Sequence, residues 1–534
     1  MESCPKTEQC STSHSDKGKQ AVSAIRVSKV VSALMLNANT NVSVSINLSN
    51  QVLSLLRFVG KHPLNVLVDS GCSTNFVSTT LVSKLRLPTQ QSVEAFQVEF
   101  ANGSYLQCNN FRDHSIRLFH RRNQEVELRG LFNTQPITMV SAMQVKRLVL
   151  VPVGFGNEEI EVVVLVDILR RAGAEVLMAS VEGKLQVEFS RRVKMVADTL
   201  ISSCDEEKFD LIALPGGMPG SARLQECQSL KKLTIEQAKQ EKLVGAISMS
   251  PAFPLQEWGI LEARMATCHP GFTDKLSPTF MTKAEVQIDG FVTTSKGPGT
   301  VFNFALSFVE QLYGKEKRSE VLKPLVLLSE DQQETLKSEF NTLDWKAAAV
   351  PKVLVPIATG SEEMEAIIII DVLRRANMNV LVASIEQDLQ VEASRKVKII
   401  ADKHIEDVKD SCFDIIVLPG GMPGAERLHD CKTLKKVLRR HVKEQRPLGA
   451  ICAAPAVILE ASGWLKGKKA TCHPTFADTL PKKRFVNSRV VLDGYIITSQ
   501  GPGTAMEFAL CIVEKFFGKQ RAANIANGLV FEYP

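Results

Sequence analysis

The residues most able to do chemistry sit in the run GAICAAPAV (449–457), where Cys452 ends an apolar strand pattern and an alanine-rich segment comes directly after it. A thiol on such a strand-to-helix junction is exposed at a sheet edge. Backbone N–H groups and a helix N-terminus there favour the thiolate. A free cysteine also packs as a small inert hydrophobe, and the run alone does not separate the two uses. The same frame occurs upstream as GAISMSPAF (245–253), with Ser248 where the cysteine would stand. A hydroxyl has a pKa far above that of a thiol and needs an adjacent base before it can attack.

Several other groups are candidates to serve that thiol. In GSEEMEAIIIIDVLRRA, Glu365 is the one glutamate of three in line with Ile368, Ile369 and Val372, which puts its carboxyl on the apolar stripe of a helix. A carboxyl buried without a cation beside it has a raised pKa and gives or takes a proton near neutrality. A carboxyl at the helix margin, bonded to backbone, gives the same spacing. VLPGGMPG (417–424) ends a strand pattern on Gly420 and Gly421, whose bare backbone allows close approach of N–H donors to an oxyanion. His473 in ATCHP is either a proton carrier or a satisfied structural group. Its neighbour Cys472 lacks the further ligands that a metal site needs. Arg395 in EASRKVKI pairs with a carboxylate or an anionic substrate, or is a solvated charge on a strand edge.

The elements that must position these residues are written twice. A constant offset of 204 positions relates Glu161 to Glu365, Arg191 to Arg395, Gly216 to Gly420, His269 to His473 and Gly299 to Gly503. A period this long is a duplicated domain and not a solenoid. The copies occupy 146–315 and 352–520, joined by a linker at 316–351 that begins as a terminal helix, with a tail at 521–534. In the second copy KVLVPIA, NVLVASI, FDIIVLPGG and LGAIC read as strands, while 362–376 and 503–517 read as helices. That alternation predicts a parallel sheet covered by helices on both faces, with its ligand crevice at the carboxyl ends of the strands.

The totals are those of folded protein. Of 534 residues 44% are hydrophobic and 23% charged, so wholesale disorder is excluded. A net charge of +6, spread along the chain, gives no reason to expect nucleic acid or an anionic membrane as partner. Apolar runs such as AIIII stop at Asp371, far short of the roughly 20 residues that span a bilayer. The twelve cysteines are scattered, without CxxC pairs, which favours a reducing compartment over a disulfide scaffold or structural zinc. The start has no apolar signal core, so the cytoplasm is expected, with the chloroplast as the alternative.

Taken in order, GSEEMEA, ASRKVKI, VLPGGMPGAERL, GAICAAPAV, ATCHP and ITSQGPGTAMEFAL resemble the DJ-1/PfpI family. The layout is similar to that of plant members carrying two such domains, and the copies cover nearly two thirds of the chain. The resemblance implies an α/β fold: two flavodoxin-like sandwiches in tandem, of the class I glutamine amidotransferase-like kind. It further implies that Cys452 is the reactive cysteine and Glu365 its protonated partner. Gly421 and the amide of Ala453 become the anion-binding backbone, and His473 the nearby histidine. Copy one keeps Glu161, Arg191, Gly217 and His269 but has Ser248, so the cysteine chemistry is expected to be lost there. In the peptidase-like branch histidine comes right after the nucleophile, whereas here Ala453 does. The family is often dimeric, so the copies are expected to pack as an intramolecular pseudo-dimer, with a homo-oligomer as a further possibility.

Ahead of the repeats, LNVLVDSGCSTNFVSTTLVSKLRLP (64–88) resembles a retropepsin-like segment of plant retroelements, in which Asp69 would be half of a catalytic aspartate pair. No later glycine-closed apolar strand is recognisable before Lys146, so 41–141 reads as a partial β-rich remnant and 1–40 as a disordered lead. An acid protease homodimer is the competing reading.

The resemblance implies cofactor-free conversion of methylglyoxal or glyoxal to the hydroxy acid, a deglycase-like activity, and protection against oxidative stress. With no metal or nucleotide required, the expected partner is a small α-oxoaldehyde. The alternatives are a non-enzymatic redox sensor that oxidises Cys452 and a chaperone-like scaffold.

Overall fold

The computed structural model describes residues 147–533 except 205–206, 328–335 and 346–348, and the backbone of strands between 45 and 129. Residues Met1–Val140 and Ser141–Pro534 form separate compact units. In the first, Ser45–Ser49, Val52–Val59 and His62–Asp69 make an antiparallel three-stranded sheet. Phe96–Glu99, Tyr105–Cys108, Ser115–His120 and Gln124–Arg129 make an antiparallel four-stranded one. Asp69 ends its strand, while its side chain and the rest of the DSG motif lie outside the described residues, as does the lead at 1–40.

The first repeat builds a seven-stranded sheet in the spatial order Thr199–Leu200, Glu175–Ser180, Leu148–Val153, Leu211–Leu214, Leu243–Ile247, Val292–Ser295, Val286–Asp289. All neighbours are parallel except the last pair, an antiparallel hairpin at the edge. The second repeat repeats this order with Lys403–His404, Asn379–Ser384, Lys352–Ile357, Ile415–Leu418, Leu448–Ile451, Ile496–Ser499 and Val490–Asp493. It gains an eighth strand, Lys337–Phe340, parallel to Val490–Asp493. The segment read as a linker therefore contributes sheet. Its KSEF run is too short and too charged for periodicity to separate a strand from a loop.

The first helix of each repeat, Glu159–Arg171 and Glu363–Arg375, is buried all round up to its last two arginines. A helix apolar on every side must be covered on every side. These two lie between their own sheets, the later helices Val301–Tyr313 and Ala505–Phe517, and each other. One apolar core therefore runs without a break through both repeats, from Val149 and Ile160 to Ile368 and Phe508. The outer face of each sheet has its own core. Truncating one such aliphatic side chain to alanine typically costs about 2–5 kcal/mol.

The repeats are also stitched by backbone. Lys194–Val196 pairs antiparallel with Lys398–Ile400, placing Met195 opposite Ile399 and merging two hairpins into one four-stranded sheet. Among the described residues no helix is long and apolar enough to cross a membrane.

Candidate active site

The strand Leu448–Ile451 delivers Cys452 to the end of the sheet, and the chain there turns through a left-handed conformation with φ +63°. Non-glycine residues seldom adopt that region, and strain of this kind persists only where the surroundings enforce it. Two bonds fix the turn: Cys452 N–H donates to Ser499 O at 3.0 Å, and His473 N–H donates to Cys452 O at 2.9 Å. Beyond the turn the chain makes a single wide helical stretch, Pro455–Glu460.

Gly420 is glycine for a steric reason. A Cβ there would lie 2.7 Å from Cys452 Cβ, 3.0 Å from Ala453 N and 3.0 Å from Glu365 Oε2. Three expected site residues thus converge on one bare backbone position. Gly421, at φ +87°, has no more room, since its Cβ would meet Glu362 N at 2.3 Å.

Glu365 is fully buried on the helix Glu363–Arg375, as its place on the apolar stripe predicts. Its Oε2 accepts the Gly420 N–H at 2.8 Å, its Oε1 has no bonded partner, and its carboxyl neighbours the Cys452 thiol. Burial first, and the Glu362 charge second, push Glu365 up to about 8, against the opposing pull of the Gly420 N–H. At neutral pH this carboxyl keeps its proton and is a donor.

Cys452 is half-buried. Burial, the charges of Glu365 and Glu362, and the Glu365 hydrogen bond push its thiol up, while the Gly421 N–H pulls it down. Two carboxyls and a backbone N–H thus act on the sulfur together. The Glu365 charge is removed when Glu365 is protonated, and its O–H then supports a negative sulfur. Cys452 and Glu365 therefore titrate as one coupled pair.

Of the two readings open for His473, the structure favours the satisfied structural group. The His473 ring accepts from Thr475 N–H through Nδ1 at 3.3 Å, with the Thr475 hydroxyl at 2.6 Å, and its Nε2 faces Pro324 O at 3.1 Å. A histidine just ahead of the proline-initiated turn Pro474–Thr479 caps that turn, so the ring braces the elbow and is not free to carry protons. Arg395 donates its backbone N–H to Glu363 Oε1 at 2.8 Å, and its carbonyl accepts from Arg170 of the first repeat at 2.8 Å. These bonds set its main chain in the seam between repeats.

The first repeat preserves the frame. Ser248 has φ +63°, Gly216 N–H donates to Glu161 Oε2 at 2.6 Å, and Gly217 has φ +88°. Glu161 is pushed well above the ordinary carboxylate range by burial and then by Glu158. His269 N–H donates to Ser248 O at 2.8 Å, while His269 Nδ1 accepts from Gly271 N–H. Arg191 offers its carbonyl to Arg374 at 2.8 Å, the mirror of the Arg395 contact. No ring nitrogen is bonded to the Ser248 hydroxyl among the described residues, and a protonated Glu161 is no base. With the cradle intact and only the nucleophile exchanged, Ser248→Cys is expected to add a second alkylatable elbow thiol. Peptide-resolved alkylation beside Cys452 checks this, slower labelling being expected because Ser248 is only 3% exposed.

Sequence reading missed the seam around these sites. Arg171, at the end of the first repeat's helix, bonds Glu362 Oε2 at 2.7 Å, and Arg375 bonds Glu158 Oε2 at 2.6 Å. Each arginine also pairs with the aspartate one turn earlier on its own helix, Asp167 or Asp371. Burial works against the Arg171 cation, but Glu362 and Asp167 more than offset it and raise its pKa. The signal was present as an aspartate four positions before an arginine in both copies, but nothing in one sequence says that the other copy supplies the partner.

Closure is exchanged as well. Pro324 and Val326, after the first repeat, reach the second repeat's site, where Arg489 donates to Val326 O at 3.0 Å. Leu529, after the second repeat, accepts from Gly299 N–H of the first at 2.7 Å.

Comparison with known proteins agrees with this construction. The model of the DJ-1/PfpI family matches residues 147–311 and again 351–515, and a retroviral aspartyl protease model matches 30–118. Protein DJ-1 homolog A of Arabidopsis thaliana is 46% identical over 381 residues, covering 71% of this chain and 97% of that protein. Protein DJ-1 homolog B of the same plant is 44% identical, covering 77% and 94%. Glutathione-independent glyoxalase DJR-1.2 of Caenorhabditis elegans is 38% identical over 171 residues, 32% of this chain and 90% of that protein. Two matched domains in register, each with the same elbow, glycine turn and buried glutamate, make this chain a tandem member of the DJ-1/PfpI family.

Proposed function

We propose that the second repeat converts small α-oxoaldehydes such as methylglyoxal into the 2-hydroxy acid, with water as the only co-reactant. The observation that carries this reading is a thiol on a strained elbow beside a carboxyl that retains its proton at neutral pH. The relative named as a glutathione-independent glyoxalase supports the same chemistry.

Cys452 sulfur forms a C–S bond to the aldehyde carbon, its thiol proton leaving to solvent, while the Glu365 proton passes to the aldehyde oxygen, giving a hemithioacetal. The Gly421 N–H that faces the sulfur and the Ala453 N–H close to Gly420 are the backbone donors for that oxygen. The Glu365 carboxylate then takes the proton from the former aldehyde carbon. As the electron pair moves, the hydroxyl proton passes to the ketone oxygen, and a proton returns from Glu365 to the ketone carbon. The product is the thioester of the hydroxy acid, an isomer of the adduct. Water cleaves its C–S bond, one proton going to the sulfur and the other to the Glu365 carboxylate, which releases lactate and restores the thiol and the acid. No electrons enter or leave, so no redox partner is needed.

The test is lactate formation from methylglyoxal by purified protein without glutathione. Turnover that needs Cys452 and not Ser248 supports the reading. No turnover, with peroxide-driven mass gain confined to Cys452, would assign a redox sensor instead.

A further inference from the structure

We infer that Arg171, which belongs to the serine-bearing repeat, is a positioning residue of the Cys452 site: it holds Glu362, and through Glu362 the Gly420–Gly421 turn and Glu365. The inference rests on Cys452 as the reactive centre and adds that the first repeat is part of that centre.

The chain of contacts is short and buried. Arg171 Nη2 lies 2.7 Å from Glu362 Oε2, with side chains only 10% and 7% exposed. Bulk water screens such a pair little. Glu362 N–H donates to Gly420 O at 3.0 Å, and the N–H of the same glycine donates to Glu365 Oε2 at 2.8 Å. Gly421 presses on Glu362 N without space for a methyl group, so Glu362 cannot shift without moving the turn. Glu362 Oε1 is buried with no bonded partner, which leaves Arg171 and the Ser394 hydroxyl, 3.2 Å from Oε2, to fix the carboxylate.

Charge takes the same route. Around Glu362 stand Arg171 and Asp167 from the first repeat, and Glu363, Glu365, Cys452 and His473 from the second. The Glu362 charge raises both Glu365 and Cys452, and the Arg171 charge lowers Glu365. Arg171 therefore acts on the pair without touching it.

The duplicated fold supplies its own control, because Arg375 makes the mirror contact to Glu158 beside Ser248. The experiment is the pH profile of Cys452 alkylation by iodoacetamide, read by peptide mass spectrometry on the full chain. This readout does not depend on oxoaldehyde turnover, so it stands or falls separately from the proposed reaction. Arg171→Met is expected to move the midpoint to higher pH by about one unit, and Arg375→Met to leave it in place. Arg171→Lys, which keeps the charge but not the planar fork, is expected to recover part of the shift. Should Arg171→Met fail to fold, Glu362→Gln decides, with a shift to lower pH expected once its charge is gone. An Arg171→Met profile displaced no more than that of Arg375→Met, or an unshifted Glu362→Gln, would overturn the inference.

Discussion

Cys452→Ala is expected to lower methylglyoxal turnover by at least about 10³-fold, to the uncatalysed background. The loss corresponds to roughly 4 kcal/mol or more of transition-state stabilisation. It should be this large because every later step runs on an adduct that only the sulfur can form. Cys452→Ser is expected to be equally inactive, although it keeps the elbow, the glycine turn and Glu365. An oxygen there would need a base, and the carboxyl bonded to this elbow, Glu365, is pushed up to about 8 and is a donor at neutral pH. The first repeat already presents this variant, with Ser248 at φ +63° beside a Glu161 whose pKa is also raised. Steady-state lactate formation by wild type and both variants checks the expectation. Turnover retained by Cys452→Ser would show that the elbow and not the thiol does the chemistry.

Glu365→Gln is expected to separate reactivity from turnover. The amide oxygen can still accept the Gly420 N–H that Oε2 now receives at 2.8 Å, so the turn should keep its geometry. The amide has no proton to relay, and loss of a general acid or base typically costs about 10²–10⁴-fold. The same change replaces the O–H that supports a negative sulfur with a weaker N–H donor, so alkylation should persist with its midpoint moved to higher pH while kcat falls. Measuring kcat and the alkylation profile on one preparation tests both halves. Parallel loss of both would mean that Glu365 only holds the elbow in shape.

Much of this site was legible in the sequence because it depends on local periodicity. Glu365 falls in line with Ile368 and Val372, and the structure buries it on that stripe. Gly420 and Gly421 come after a strand, and both prove to be positions where a Cβ has no room. The alternating pattern gave a mostly parallel sheet, correct apart from the edge hairpins and the added strand Lys337–Phe340. What local pattern could not reach was any partner in the other copy. Arg171 reads as an ordinary last-turn cation, yet it pairs with a glutamate 191 positions away. His473 reads either as a proton carrier for Cys452 or as a satisfied structural group. Its ring is taken by Thr475 and by Pro324, which approaches from the segment joining the repeats. Both depend on the packing of one repeat against the other, and a single sequence signals that packing only through two unusually apolar helices.

The most direct test of the central claim is to quench the protein during methylglyoxal turnover in mild acid and map covalent adducts by peptide mass spectrometry. A lactoyl thioester on the peptide carrying Cys452, absent from the Ser248 peptide and from Glu365→Gln, is the expected result. Lactate formation with no adduct on Cys452, or with an adduct on Ser248, would contradict it.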